Sequence, residues 1–294
     1  MRWLGPPTTA GDGSDVLART LGKALGEATG QSFVVDNKPG AGGSIGADIV
    51  AKSVPDGYTV FLGNGSTHGA TPSLYPSLPY DSVNDFIPTV LISTAANVLV
   101  VGSSVPVSNI AEFLALAKAQ PGRLTLGSGG NGSLSHLSVE ILKRMAGVDL
   151  QHVPYKGAAP ALQDIASGQI TGMIINIPSV LPLLQAGRIK ALAVTSLQPA
   201  ATLPGVPTLD ASGVKGYQTL SWFGFMLPAR TPPAVVQALQ DRTAAALALP
   251  DVKAALARLG ADPSGMGQAE FTAFVKSEIA RYGQVIREAN IRIQ

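Results

Sequence analysis

Leu124-Thr125-Leu126-Gly127-Ser128-Gly129-Gly130-Asn131-Gly132-Ser133 decides how this chain is read. Three residues of a buried strand run into a loop of Gly and Ser. Leu134, Leu137, Ile141 and Met145 then recur at helical spacing. Strand, glycine loop and helix form the repeating unit of an open α/β sheet, where ligands sit outside the carboxyl ends of the strands. Glycine lets a ligand approach the backbone, and the helix start behind it offers unpaired N–H groups and a positive dipole end. Together these make an anion site that needs neither Lys nor Arg.

The same grammar extends in both directions. Phe33-Val34-Val35, Thr59-Val60-Phe61-Leu62, Val98-Leu99-Val100-Val101, Met173-Ile174-Ile175 and Ala191-Leu192-Ala193-Val194 read as buried strands of a mostly parallel α/β protein. Helical spacing marks Leu17, Leu21 and Ala24, and again Ile110, Phe113, Leu114 and Ala117; the C-terminus reads as nearly all helix. Three further Gly-rich loops precede residue 103: Gly11 to Asp15, Gly40 to Ser44 and Gly63 to Thr67. One such loop says little, but loops on both sides of that point fit a site drawn from two lobes.

A length of 294 residues suits two α/β lobes. With 46% hydrophobic and only 14% charged residues, both can carry sizeable cores and disorder is not expected. The net charge of +2 is dispersed, which leaves no footprint for nucleic acid. The absence of Cys excludes a thiolate nucleophile, an iron–sulfur cluster and a Cys-based zinc site. No apolar run reaches the ~20 residues of a membrane span. Met1 to Pro7 lacks the apolar stretch of a signal peptide, so the expectation is an exported protein whose signal has been removed, or a cytosolic one.

Enzyme motifs fit poorly. Gly40-Ala41-Gly42 with Gly46 has a loose dinucleotide-loop spacing, but Asp36 to Pro39 separate it from the strand, and the nearest acidic residue, Asp56, lies in a Pro-Asp-Gly turn. Ser66 and Ser133 both lack the glycines of a nucleophile elbow. His68, His136 and His152 show no metal spacing, and the Asp residues are scattered singly. No catalytic residue, metal or cofactor is expected. Asp15 suits the first turn of a helix as a dipole partner or, equally, shapes the loop before it. Ser128, Ser133, Tyr155 and Asn176 are neutral groups near strand ends; singly each suits a structural role, but as a set they suit a carboxylate pocket. His136, one turn into a helix, suits a structural or capping role as well as a place in that pocket.

These motifs together resemble the Bug receptors, the extracytoplasmic solute-binding components of tripartite tricarboxylate transporters. The likeness runs through Asp15-Val16-Leu17-Ala18-Arg19, Val35 to Gly43, Pro55-Asp56-Gly57-Tyr58-Thr59 and Pro72-Ser73-Leu74-Tyr75, then Leu78-Pro79-Tyr80-Asp81. It continues through Gly129 to Leu137, Val153-Pro154-Tyr155-Lys156-Gly157, Asp164, Leu192 to Thr195, Pro204 to Thr208 and Ser221-Trp222-Phe223-Gly224. The resemblance implies a two-lobe periplasmic-binding-protein type II fold, with mixed sheets and a hinge of two crossing strands. Lobe one would be residues 1–102 and 222–294, and lobe two residues 103–221.

It also implies a monomeric periplasmic protein that captures a small carboxylate (a di- or tricarboxylate, amino acid or aromatic acid) and passes it to membrane transporter subunits. Gly11, Asp12, Gly13, Ser14, Asp15, Gly65, Ser66 and Thr67 would grip the ligand from lobe one, largely through backbone amides and water. Ser128, Gly129, Gly130, Ser133, His136, Tyr155 and Asn176 would do so from lobe two. Two departures stand out: Gly5, Pro6 and Pro7 fall where the family has an apolar first strand, and Asp12 replaces a usual Gly. Pro cannot donate within a central strand, so this one is either altered or enters the sheet only briefly. Asp12 either caps the first helix or faces the site, where it would disfavour plain dicarboxylates. The rivals are an α/β enzyme acting on a nucleotide or acyl substrate, and a receptor that signals instead of transporting.

Overall fold

The computed structural model describes residues 2–4, 13–38, 43–75, 77–155 and 157–292. In chain order the elements begin with β1 (Arg2–Leu4), α1 (Gly13–Thr29), β2 (Val34–Asp36), α2 (Ser44–Ala51) and β3 (Thr59–Asn64). A single π-helical turn (Ser66–Ala70) and α3 (Thr71–Leu74) lead to the long β4 (Phe86–Gly102). Then come α4 (Ile110–Ala119), β5 (Thr125–Ser128), α5 (Leu134–Ala146), β6 (Gln151–Pro154) and α6 (Ala158–Ala166). β7 (Gly172–Asn176), a 3-10 turn (Ile177–Ser179), α7 (Leu181–Gln185) and β8 (Ile189–Val194) follow. The chain finishes with β9 (Leu220–Pro228), α8 (Pro233–Leu247), α9 (Pro250–Arg258), β10 (Ala261–Met266) and α10 (Gln268–Glu288).

The chain divides into two compact units, residues 1–94 with 222–284 and residues 95–221 with 285–294. In the first, β1 lies between β2 and β3, parallel to both, and β3 pairs antiparallel with β9. β1 as described covers Arg2–Leu4, and the unusual Gly5-Pro6-Pro7 lies outside the described residues. Its core gathers Phe61, Phe86, Leu91, Trp222, Met226, Phe271 and Val275. β9 crosses this core with a glycine at its tightest point. A Cβ at Gly224 would lie 2.2 Å from Cζ of Phe271, so no larger residue fits under that ring.

In the second unit, β5 is parallel to β6 and β7, while β7 and β8 both pair antiparallel with β4. The C-terminal half of β4 is therefore a central strand, which explains the unbroken run Val98 to Val101, each fully buried. It also explains why the first change of unit falls at Thr94–Ala95, inside β4, where the sequence reading puts it at Gly102–Ser103. The last turn of α10 belongs to the second unit, and Glu288 on it is ion-paired with Arg144 on α5.

Candidate functional site

In the first unit the loop after β3 is organised by Asn64. Its side-chain oxygen accepts the backbone N–H groups of both Ser66 and Thr67 at 3.0 Å, the geometry of a helix cap. Thr67 is fully buried, and its hydroxyl receives Asn64 N–H at 3.0 Å and lies 3.0 Å from Nδ1 of His68. Two amides expected to face a ligand are thus already held by Asn64. Among the described residues, the Ser66 hydroxyl makes no hydrogen bond, and the side chain is only half-buried. Gly65 has a packing reason as well, since a Cβ there would lie 3.3 Å from Nε1 of Trp222. That indole nitrogen donates to Glu278 at 3.1 Å.

His68 is sealed among Phe61 and Phe86, with ring centroids 5.6 and 4.7 Å away, and burial pushes its pKa down to about 3. A proton on Nδ1 directed at Thr67 leaves Nε2 an acceptor without a partner among the described residues, a smaller penalty than a stranded N–H would carry. Asp15, buried in the first turn of α1, is clasped by Arg19 one turn on: Nε donates to one carboxylate oxygen and Nη2 lies beside the other, each at 3.0 Å. Ser14 beside it is also buried, and Gly13 is the first residue of the helix. Gly11 and Asp12 lie outside the described residues.

The second unit gathers five of the expected residues into one loop. Ser133 caps α5, accepting His136 N–H at 3.3 Å and donating to the Gly130 carbonyl at 2.7 Å. The Ser128 hydroxyl receives Gly130 N–H at 3.1 Å, and Ser135 receives Gly129 N–H at 3.0 Å. Nδ1 of His136 accepts Gly132 N–H at 3.1 Å. The loop's glycine amides are therefore spent on its own side chains. Helix geometry leaves the N–H groups of Leu134 and Ser135 without an intrahelical partner at the positive end of the α5 dipole.

Tyr155 sits against this loop, its backbone N–H donating to Ser128 O at 3.0 Å. Its hydroxyl proton goes to Asp164 at 2.7 Å, and burial together with that carboxylate pushes the phenol up to about 12. The hydroxyl expected to face a ligand is thus paired within the protein. Asn176 ends β7 exposed and caps the following turn, accepting Ser179 N–H at 3.1 Å.

Three functional-looking residues escape the sequence reading. Asn64 has a local signal, an Asn two and three residues before loop amides. His152 has none: it reaches the loop across the β5–β6 pairing, placing Nε2 2.6 Å from the Ser128 hydroxyl and its ring 3.7 Å above that of His136. Asn97 faces Asn176 in the β4–β7 register, is almost fully buried, and has an Nδ2 without a partner among the described residues.

Ser128 and His152 approach like a nucleophile and its base. However, Ser128 is fully buried, and among the described residues no carboxylate hydrogen-bonds the far side of His152 to orient it. The contact holds a loop. Among the described residues there is no group of His, Asp and Glu that could hold a metal ion, and no helix long and apolar enough to cross a membrane.

Residues 17–291 match the family described as tripartite tricarboxylate transporter family receptor. Among solved structures, R. palustris Rpa4515 with adipate is 39% identical with a TM-score of 0.83, over 99% of this chain and 97% of that one. The periplasmic binding protein BugD is 33% identical with a TM-score of 0.80, over 100% and 99%. MatC from Rhodopseudomonas palustris with bound malate is 31% identical with a TM-score of 0.79, over 97% and 98%. This chain therefore has the two-lobe α/β fold of these binding proteins and belongs to the tripartite tricarboxylate transporter receptor family.

Proposed function

We propose that this protein captures a small dicarboxylate in the periplasm and delivers it unchanged, as a monomer, to the membrane subunits of a tripartite transporter. The observation that carries the reading is the start of α5. Two N–H groups without intrahelical partners, a Ser cap and the positive end of the dipole converge there with no cationic side chain in the loop. In the first unit, the turn fixed by Asn64 carries the Ser66 hydroxyl, a neutral donor of the kind a carboxylate needs. Adipate and malate, the molecules bound by two relatives, are both dicarboxylates, which narrows the class. Neutral donors of this kind fix a carboxylate and leave the rest of the molecule to the pocket walls.

Calorimetric titration with adipate, malate, a tricarboxylate and a monocarboxylate tests the reading. A dicarboxylate is expected to bind at one-to-one stoichiometry and to be recovered chemically intact. Replacing Ser66 with Ala should cost about 1.5–3 kcal/mol of that affinity, the usual loss for one hydrogen bond to a charged group, with little change in melting temperature. Conversion of any of these acids into product would favour the enzyme reading instead.

A further inference from the structure

We infer that His136 and His152 are a positioning pair, two neutral stacked imidazoles that hold the loop 128–133 in its ligand-ready form through Gly132 and Ser128. The inference rests on the proposed role of that loop in carboxylate binding. The rings are nearly parallel, 8° apart with centroids at 3.7 Å, and each spends one nitrogen on the loop. Nδ1 of His136 accepts Gly132 N–H at 3.1 Å. Nε2 of His152 lies 2.6 Å from the Ser128 hydroxyl, which in turn receives Gly130 N–H at 3.1 Å.

The two glycines at the ends of these tethers are the ones that need holding. Gly130 has φ +128° and Gly132 φ +75°, conformations in the left-handed half of the map where glycine loses most freedom on being fixed. A loop of this composition would sample many forms unless tied, and a carboxylate site at a helix start works only if its backbone is preset. Each imidazole ties one glycine, and stacking ties the imidazoles to each other.

The arrangement requires His136 to be uncharged at Nδ1. A proton there would point at the Gly132 N–H, and two cationic rings at this spacing would repel. The charges around the pair are Glu140 and Lys143 on α5 and the Arg144–Glu288 pair joining α5 to α10. Burial first, and the Lys143 ammonium second, push His136 down to about 4; burial, His136 and Lys143 push His152 to about 4 against the opposing pull of Glu140. The loop is thus tied throughout the neutral range and released in acid.

The test compares wild type with His136→Asn, whose amide oxygen can replace Nδ1 as acceptor but cannot be protonated, and with His136→Leu, which offers no acceptor. Hydrogen exchange at the Gly132 amide is followed in the ligand-free proteins, and adipate affinity is measured alongside. At pH 7 the Asn variant is expected to match wild type in exchange and to bind within about threefold. The Leu variant should exchange Gly132 at least tenfold faster and bind at least tenfold more weakly. Between pH 7 and pH 4 the wild-type amide should lose protection relative to the Asn variant, and this arm decides the matter should the Leu variant not fold. Equal Gly132 exchange in all three proteins at pH 7, or parallel acid profiles for wild type and the Asn variant, would overturn the inference. Failure of wild type to bind adipate or any other dicarboxylate would instead overturn the functional reading, while the exchange data would still judge the positioning pair.

Discussion

The Tyr155 hydroxyl donates to the Asp164 carboxylate at 2.7 Å, which ties the loop beside Ser128 to α6. Its one proton is committed, so Tyr155 offers a ligand an acceptor and a ring edge. Tyr155→Phe is expected to leave adipate affinity within about threefold. It should lower unfolding free energy by about 1 kcal/mol, the usual net worth of one such bond. In Asp164→Ala the phenol should titrate nearer its ordinary value of 10.0 instead of about 12, followed by ultraviolet absorbance.

Asn64 should matter through its acceptor oxygen. Asn64→Ala leaves the Ser66 and Thr67 amides uncapped and is expected to cost about 1–2 kcal/mol in chemical denaturation. Asn64→Asp keeps an acceptor at the same place and should stay close to wild type. Equal loss in both variants would mean that the cap is not the reason for this residue.

Gly224 should tolerate nothing larger. Its missing Cβ is the space that Cζ of Phe271 fills, so Gly224→Ala forces overpacking in the first unit and should destabilise by about 1–3 kcal/mol or more. Adding Phe271→Leu to that variant should restore part of the loss, because the shorter side chain vacates the contested volume. Denaturant midpoints at constant slope give both numbers.

His68 should make the protein acid-sensitive. The unfolded chain binds a proton at the ordinary 6.5, while burial holds the folded-state value at about 3. Between these values the unfolded state carries more protons, so stability falls as pH drops through this window and is flat above it. By pH 4 this one group removes about 3 kcal/mol, since each unit of difference is worth about 1.4 kcal/mol. His68→Leu should lower the slope of unfolding free energy against pH between 6.5 and 4 by the share of one proton, leaving the part due to His136 and His152; an unchanged slope would assign the acid sensitivity to those two alone.

Much of this architecture is visible in the residues themselves. Thr59 to Leu62, Met173 to Ile175 and Ala191 to Val194 are short apolar runs bounded by breakers, and each lies within an observed strand. β4 is harder to read. Its seventeen residues run through both units, and Ser93, Thr94 and Asn97 interrupt the apolar run that would otherwise mark it as one element. β10 carries Pro263 and Gly265 and is mostly exposed, so its pairing with β4 comes from the helices around it and not from propensity.

The candidate site divides along the same line. Ser128, Ser133 and His136 are local: a strand end, a helix cap and the first helical turn, all set by near neighbours in sequence. His152 and Asp164 reach the same loop through tertiary contacts, and no spacing in the sequence announces them. That is why Tyr155 reads as a free donor until its carboxylate partner is seen.

Whether this protein captures a dicarboxylate and releases it unchanged is read by titration calorimetry with adipate and malate at neutral pH, followed by recovery of the ligand. Saturable one-to-one binding of at least one of these dicarboxylates is expected, with quantitative recovery of the acid and affinity weakened by Ser66→Ala. Absence of binding by every di- and tricarboxylate at millimolar concentration, or appearance of a chemical product, would contradict it.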